Sequence, residues 1–232
     1  MIVTIDGPAG SGKSAAALQL ARKLGIPHLD TGAMYRAVAL DALEEGILAD
    51  PDRIAQRCRL LSLTFDFSRS PAPILLNGHD VSEQIRAPRV TEVTWVAADN
   101  PWVREELVRL QRQIGREQGS LVTEGRDQGT IVFPNADFKF YLNAHPEERA
   151  RRRIAQLAAK GISAEQSDVL EQILQRDMRD QARAVGPLAR PKDALDIDTT
   201  DLTLEETVDA MITVIHQKMP VTNAKCQMPN AK

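Results

Sequence analysis

Apolar positions recur along this chain in two rhythms, and their alternation predicts the architecture. Ile2, Val3 and Ile5 form a short run with a β-branched bias, as a strand buried on both faces would. Ala17, Leu20, Ala21 and Leu24 then recur at helical spacing, and Gly25 closes the segment. Ile26–Gly32 reads as a short strand and turn, and Ala33–Leu40 opens a second helix with Asp30 or Thr31 as its cap. After Asn100-Pro101, the stripe Val103, Leu107, Leu110 and Ile114 predicts a helix with Arg104, Glu105, Arg109 and Arg112 off its apolar face. Leu121-Val122-Thr123 and Phe138–Leu142 read as strands, and so does Leu195–Thr199. Between them, Pro146 and Glu147-Glu148 start a helix that runs to about Lys160, and another follows Ser163-Ala164-Glu165. Thr203–Glu206 is a capping box ahead of a final helix striped by Leu204, Val208, Met211, Ile212 and Ile215. Strands alternating with helices in this way predict an α/β fold around a parallel sheet.

One stretch breaks the rhythm. From about Leu61 to Ile85, Leu63, Phe65 and Phe67 alternate with polar residues, a turn cluster spans Ser68–Pro73, and Ile74-Leu75-Leu76 ends at Asn77-Gly78. This predicts a small antiparallel insertion within the larger fold. From Pro220 onward the pattern is polar and aperiodic, and residues 220–232 are expected to form a disordered tail.

Composition narrows the function. The formal net charge of −3 supplies no basic field, so nucleic acid is not an expected partner and any anion site must be a local cluster of arginines. Cys58 and Cys226 have no metal-ligand spacing. No apolar run approaches membrane-spanning length, and the N-terminus reads as a core strand rather than a signal peptide, which makes the cytoplasm the expected location and excludes a membrane partner. A monomer acting on small molecules is expected.

The chemistry begins at Gly7-Pro8-Ala9-Gly10-Ser11-Gly12-Lys13-Ser14, a full match to G-x-x-x-x-G-K-[ST] between a strand and a helix. A polyphosphate needs many donors at close range, and glycines let backbone N–H groups turn inward. The following helix adds free N–H groups, those near Ala15 among them, and its positive dipole end. Lys13 can reach the β- and γ-phosphates of ATP, and the Ser14 hydroxyl can ligate Mg²⁺. The chain lacks the Asn-Lys-x-Asp motif of a GTPase. An ATPase motor usually carries a longer apolar strand ending in Asp, whereas here Leu121-Val122-Thr123 runs into Glu124-Gly125-Arg126-Asp127. Charged groups at the carboxyl end of a strand lie where open parallel sheets bind ligands. Arg176, Asp180 and Arg183 share one helix face, and their spacing alone reads as a surface ion-pair row. Scattered arginines with a phosphate loop suit phosphoryl transfer to a small acceptor.

Five separated blocks give this pattern a family. Ile5–Ser14, Leu29-Asp30-Thr31-Gly32-Ala33-Met34-Tyr35-Arg36, Leu76–Ser82, Glu124–Pro134 and Arg176–Arg183 occur in order, and together the chain resembles the bacterial cytidylate kinases up to about Met219. The resemblance implies a P-loop nucleoside monophosphate kinase that transfers the γ-phosphoryl group of ATP to CMP or dCMP. It implies one domain over residues 1–219, with an insertion at about 61–100 that enlarges the monophosphate-binding region and a lid at about 148–180. Thr31, Arg36 and Arg126 would hold the acceptor phosphate. Thr94, Arg104 and Asp127 would read the cytosine, Arg176 and Asp180 would contact the ribose, and Arg183 would lie near the phosphates. That assignment replaces the surface-row reading of the 176–183 face. Cytosine presents a 4-amino donor beside acceptors at N3 and O2, so a carboxylate with an arginine matches its edge. A kinase for UMP or for a non-nucleotide acid is the main rival, and a silent nucleotide-binding module is the other. The adjacent Arg126 and Asp127 weigh against the first, and the intact Lys13 and Ser14 against the second.

Overall fold

The computed structural model describes residues 1–159 and 161–218. The expected tail at 220–232 lies outside them. In chain order the elements are β1 (Ile2–Asp6), α1 (Lys13–Leu24), β2 (His28–Asp30), α2 (Thr31–Glu44), α3 (Pro51–Cys58), β3 (Leu63–Phe65), β4 (Ile74–Leu76) and β5 (His79–Asp80). A 3-10 turn at Gln84–Arg86 and the short helices α4 (Pro88–Val93) and α5 (Trp95–Ala98) lead into α6 (Pro101–Gln118). Then come β6 (Leu121–Gly125), a π-helical turn at Gln128–Val132, β7 (Phe138–Asn143), α7 (Pro146–Ala158), α8 (Gln166–Ala182), β8 (Leu195–Asp198) and α9 (Leu204–Lys218).

β2, β6, β1, β7 and β8 lie side by side in that order, all parallel. Every strand therefore ends at the same edge, and each is followed there by a loop or helix start. Asp6 leads into the phosphate loop, Asp30 into α2, and Gly125 into Arg126 and Asp127. The order puts β1 between β6 and β7, so the connections leaving β1 and β6 diverge and open a crevice between them.

Apolar side chains fill both faces. Val3, Ile5, Phe140 and Leu142 pack with α1 and with Val208, Met211 and Ile215 of α9 on one side. Leu29, Leu121, Val103, Leu107 and most of α2 form the other, which continues into Leu63, Ile74, Leu76 and Ile85 of the insertion. The insertion thus shares the main core. It holds the expected antiparallel sheet β3-β4-β5, with Asn77 and Gly78 at positive φ (50° and 83°) in the β4–β5 turn. It also holds helical segments that the sequence pattern did not show. α7 and α8 have a small cluster of their own, built on Ala150, Val169 and Ile173.

Local chemistry explains the boundaries. Asp30, not Thr31, caps α2, its Oδ1 accepting from Ala33 N at 2.9 Å, so the helix begins two residues before the expected start. Asn100 Oδ1 accepts from the amides of Trp102 and Val103 and starts α6. Thr203 and Glu206 form the expected capping box, with Thr203 N to Glu206 Oε2 at 2.8 Å and Glu206 N to Thr203 Oγ1 at 3.2 Å. β3 ends at Phe65, one alternation short, and Phe67 stacks on Phe65 with ring centroids 5.6 Å apart.

Candidate active site

The loop between β1 and α1 is shaped by what surrounds it. At Gly7, with φ 149°, a Cβ would collide with the carbonyl oxygen of Leu142, so only glycine fits. Gly7, Pro8 and Ser11 lie buried beneath the loop, while Gly10, Gly12, Ser14 and Ala15 are exposed at its surface. Lys13 is folded back, its Nζ donating to Pro8 O at 2.6 Å with Ser11 Oγ at 3.4 Å. Burial, and then repulsion from Arg126, pushes the Lys13 ammonium down to about 7. Ser14 Oγ donates to Glu124 Oε1 at 2.6 Å, which joins the loop to the end of β6. From the other side, Ala9 N donates to Asp177 Oδ1 at 3.2 Å and Arg149 Nη1 to Ala9 O at 2.9 Å, tying α7 and α8 to the loop.

The ends of β2 and β6 supply the facing wall. Thr31 Oγ1 donates to Glu124 O at 2.7 Å, and Arg36 Nη2 to Asp30 Oδ2 at 2.9 Å. Arg126 Nε donates to Asp180 Oδ2 at 2.8 Å, and Arg183 Nη2 to Asp180 Oδ1 at 2.6 Å. Burial opposes the charge on Asp180, yet Arg126 and Arg183 hold its carboxyl below the usual range. Arg183 also reaches Asp99, Nε to Oδ1 at 2.8 Å. Arg176 opens onto the cleft, where partial dehydration and the like charge of Arg126 lower it to about 10. The sequence spacing at 176, 180 and 183 is a cleft wall, with Asp180 at its centre.

Within the cleft, Arg104 Nη2 donates to Asp127 Oδ2. The two residues are 2% and 3% exposed, so this off-stripe arginine of α6 belongs to the interior. Arg104 Nη1 also donates to Ala98 O at 3.1 Å, and its guanidinium carbon lies 5.3 Å from the centroid of the Tyr35 ring. Burial pushes the Tyr35 hydroxyl up to about 12, which keeps it protonated beside the pair. Gly186, with φ 63°, packs so closely that a Cβ there would collide with Arg104 Nη2 and Asp127 Oδ2. Thr94 Oγ1 donates to Val90 O at 2.8 Å, which leaves its lone pairs toward other donors.

One cavity of about 320 Å³ joins these parts. Its wall includes Ala9, Gly10, Gly12, Lys13, Ser14 and Ala15 of the loop, and also Thr31, Arg36, Thr94, Arg104, Arg126, Asp127, Arg176, Asp180 and Arg183. Tyr35, Glu124, Arg152 and Gln156 line it as well, without having been singled out from sequence. Glu124 was legible only as a charged group at a strand end, and Asp30 only as a possible helix cap.

Residues 3–217 match the family model described as cytidylate kinase. The chain belongs to the cytidylate kinase family. Similar curated relatives include the cytidylate kinase of Caldanaerobacter subterraneus subsp. tengcongensis, 46% identical over 93% of this chain and 94% of that protein. The cytidylate kinases of Geobacter sp. (strain M21) and Bacillus subtilis (strain 168) are 43% and 40% identical, the first over 94% of both chains and the second over 93% of this chain and 96% of its own. Among solved structures, shikimate kinase from Bacteroides thetaiotaomicron shares the fold, with a TM-score of 0.50, 14% identity, and coverage of 93% of this chain and 98% of that one.

Proposed function

We propose that this chain transfers the γ-phosphoryl group of ATP to CMP or dCMP, yielding CDP or dCDP and ADP. The observation that carries the reading is the buried Arg104–Asp127 pair, which faces the same cleft as Lys13 and Ser14. A non-nucleotide acceptor would need arginines but no carboxylate at that depth. The Asp127 carboxylate accepts from the cytosine 4-amino group while Arg104 donates to its acceptor edge, and Thr94 borders the base. Arg36, Thr31 and Arg126 take the acceptor phosphate, Arg176 and Asp180 the ribose, and Arg183 the phosphates in transfer. Lys13 leaves the Pro8 carbonyl for the ATP phosphates, and the amides from Ala9 to Ala15 close around them. The acceptor oxygen is already anionic, so in-line transfer needs positioning and charge stabilisation but no general base.

Among the described residues no preassembled cluster of three or more metal-binding side chains occurs. Ser14 and Glu124 nonetheless suit Mg²⁺, a hard oxygen pair in contact at 2.6 Å at the mouth of the loop, with Ser14 as the direct ligand. Bound there, Mg²⁺ would neutralise phosphate charge. The arrangement proposed is one domain over 1–219, with the segment near 61–100 enclosing CMP and the segment near 148–180 closing over ATP, in a monomer.

The test compares kcat/KM for CMP and UMP in wild type and Asp127→Asn. Asparagine can turn its amide toward the uracil O4, so the preference for CMP should shrink by roughly 1–3 kcal/mol, the worth of one base-edge pairing. Most of the change should come from lost CMP efficiency, because Arg104 is left without its carboxylate. An equal fall for both substrates would make Asp127 a folding or phosphate residue and overturn the reading.

A further inference from the structure

Asp6 is a buried carboxylate with no part in the transfer just described. It is the last residue of β1, immediately before the phosphate loop, and it is 0% exposed. Both of its oxygens accept from backbone amides outside the loop it precedes. Oδ1 accepts from Gln128 N at 2.8 Å and Oδ2 from Gly129 N at 2.7 Å. Those amides directly follow Asp127. The Gln128 side chain extends the connection, since its Oε1 accepts from Thr123 Oγ1 at 2.9 Å and its Nε2 donates to Gln111 Oε1 at 3.1 Å. Gln111 lies seven residues beyond Arg104, on the same face of α6. Gln111 and Gln128 are 0% and 1% exposed. The turn that carries Asp127 and the helix that carries Arg104 are therefore joined behind the pair, and Asp6 anchors the join.

We propose that Asp6 is a positioning residue for base selection, holding the 127–129 turn so that Asp127 meets the cytosine edge while tying that turn to the strand that carries the phosphate loop. Burial pushes the Asp6 carboxyl up to about 7 against the opposing pull of the two amide bonds, so the site retains a costly group whose bonds all go to this turn. A strand end that served the loop alone would be filled more cheaply by an apolar residue. The inference rests on the reading of Asp127 as the cytosine acceptor.

Asp6→Asn keeps the shape but turns an NH₂ group toward one of the two amides, which removes one anchor. The expected result is a rise in KM for CMP of about tenfold, the size of one lost buried hydrogen bond, with the CMP:UMP ratio of kcat/KM falling alongside it. KM for ATP should stay nearly constant. Thr4→Val is the control, because Thr4 is equally buried on the same strand and its hydroxyl has no hydrogen-bond partner among the described residues. It should leave the ratio unchanged. An unchanged ratio in Asp6→Asn, or an equal fall in Thr4→Val, overturns the proposal. If Asp6→Asn does not fold, amide exchange in the wild-type enzyme decides: protection at Gln128 and Gly129 supports the anchor, and exchange at the free-peptide rate refutes it. Wild type failing to phosphorylate CMP would remove the functional reading itself. An active wild type with an indifferent Asp6→Asn removes only the role of Asp6.

Discussion

Lys13 shows what a single residue contributes before any ligand arrives. Its Nζ rests on the Pro8 carbonyl at 2.6 Å, buried and close to Arg126, and its pKa is near 7 instead of the usual 10.5. A polyphosphate brings negative charge to this ammonium and must raise that pKa. At pH 8 the free side chain is mostly neutral and the bound one charged, while the nucleotide is already fully ionised, so binding should take up a proton from the buffer. Calorimetry of ADP binding at pH 8, in buffers of different ionisation enthalpy, measures this uptake directly. No uptake would mean that Lys13 is charged in the free enzyme or does not meet the phosphates. The motif foretold which residue type sits here, because the chemistry of phosphate binding dictates it. It could not foretell the partners that hold the arginines: Asp30 for Arg36, Asp99 for Arg183 and Asp177 for Arg149. The last two pairs join positions that only the tertiary fold brings near.

Among the elements, those with sustained periodicity were legible: β1, α1, α6, β6, β7 and α9 all lie where the apolar pattern put them, and α7 and α8 where their start signals did. α3, α4 and α5 were not, because helices of 8, 6 and 4 residues are too short to display a stripe. The faces of α6 and α8 misled for a related reason, since spacing groups Arg104 or Arg176, Asp180 and Arg183 without saying what lies opposite. α7 and α8 stand apart energetically as well. Their apolar cluster, Ala150, Val169 and Ile173, is separate from both cores, and their principal tie to the phosphate loop is the Arg149–Asp177 pair with Ala9. A unit with so small a core opens at low free energy, as closing segments must. If the 148–180 region closes over ATP, its amides should exchange more slowly with ATP analogue and CMP bound than in the free enzyme, while β1 and β6 change little. Asp177→Asn should weaken that ligand-induced protection by loosening the tie. Identical exchange with and without ligands would exclude closure of this pair.

At the scale of the whole molecule, charge is distributed against its sum. The chain carries a formal net charge of −3, yet the cleft is lined by Lys13 and six arginines against four carboxylates. The surplus is local because the parallel strands end together and the arginines of α2, α6, α7 and α8 converge on that edge. The low-dielectric walls of the cleft strengthen such a field at its mouth, while the negative remainder repels anions elsewhere on the surface. Nucleotide capture should therefore depend on salt although phosphoryl transfer inside the cleft should not. The screening length is about 10 Å at 0.1 M ionic strength and about 3 Å at 1 M, so the field beyond the cleft collapses over that range while contacts inside it persist. Raising NaCl at constant free Mg²⁺ should lower kcat/KM for CMP several-fold, toward the roughly tenfold lower end of electrostatic rate effects, with kcat nearly constant. Removing an arginine at the rim of the wall, as in Arg176→Gln, should flatten this salt dependence. A kcat/KM that is indifferent to salt in wild type would show that the arginines act only after the substrate has entered, as clamps without a capturing field.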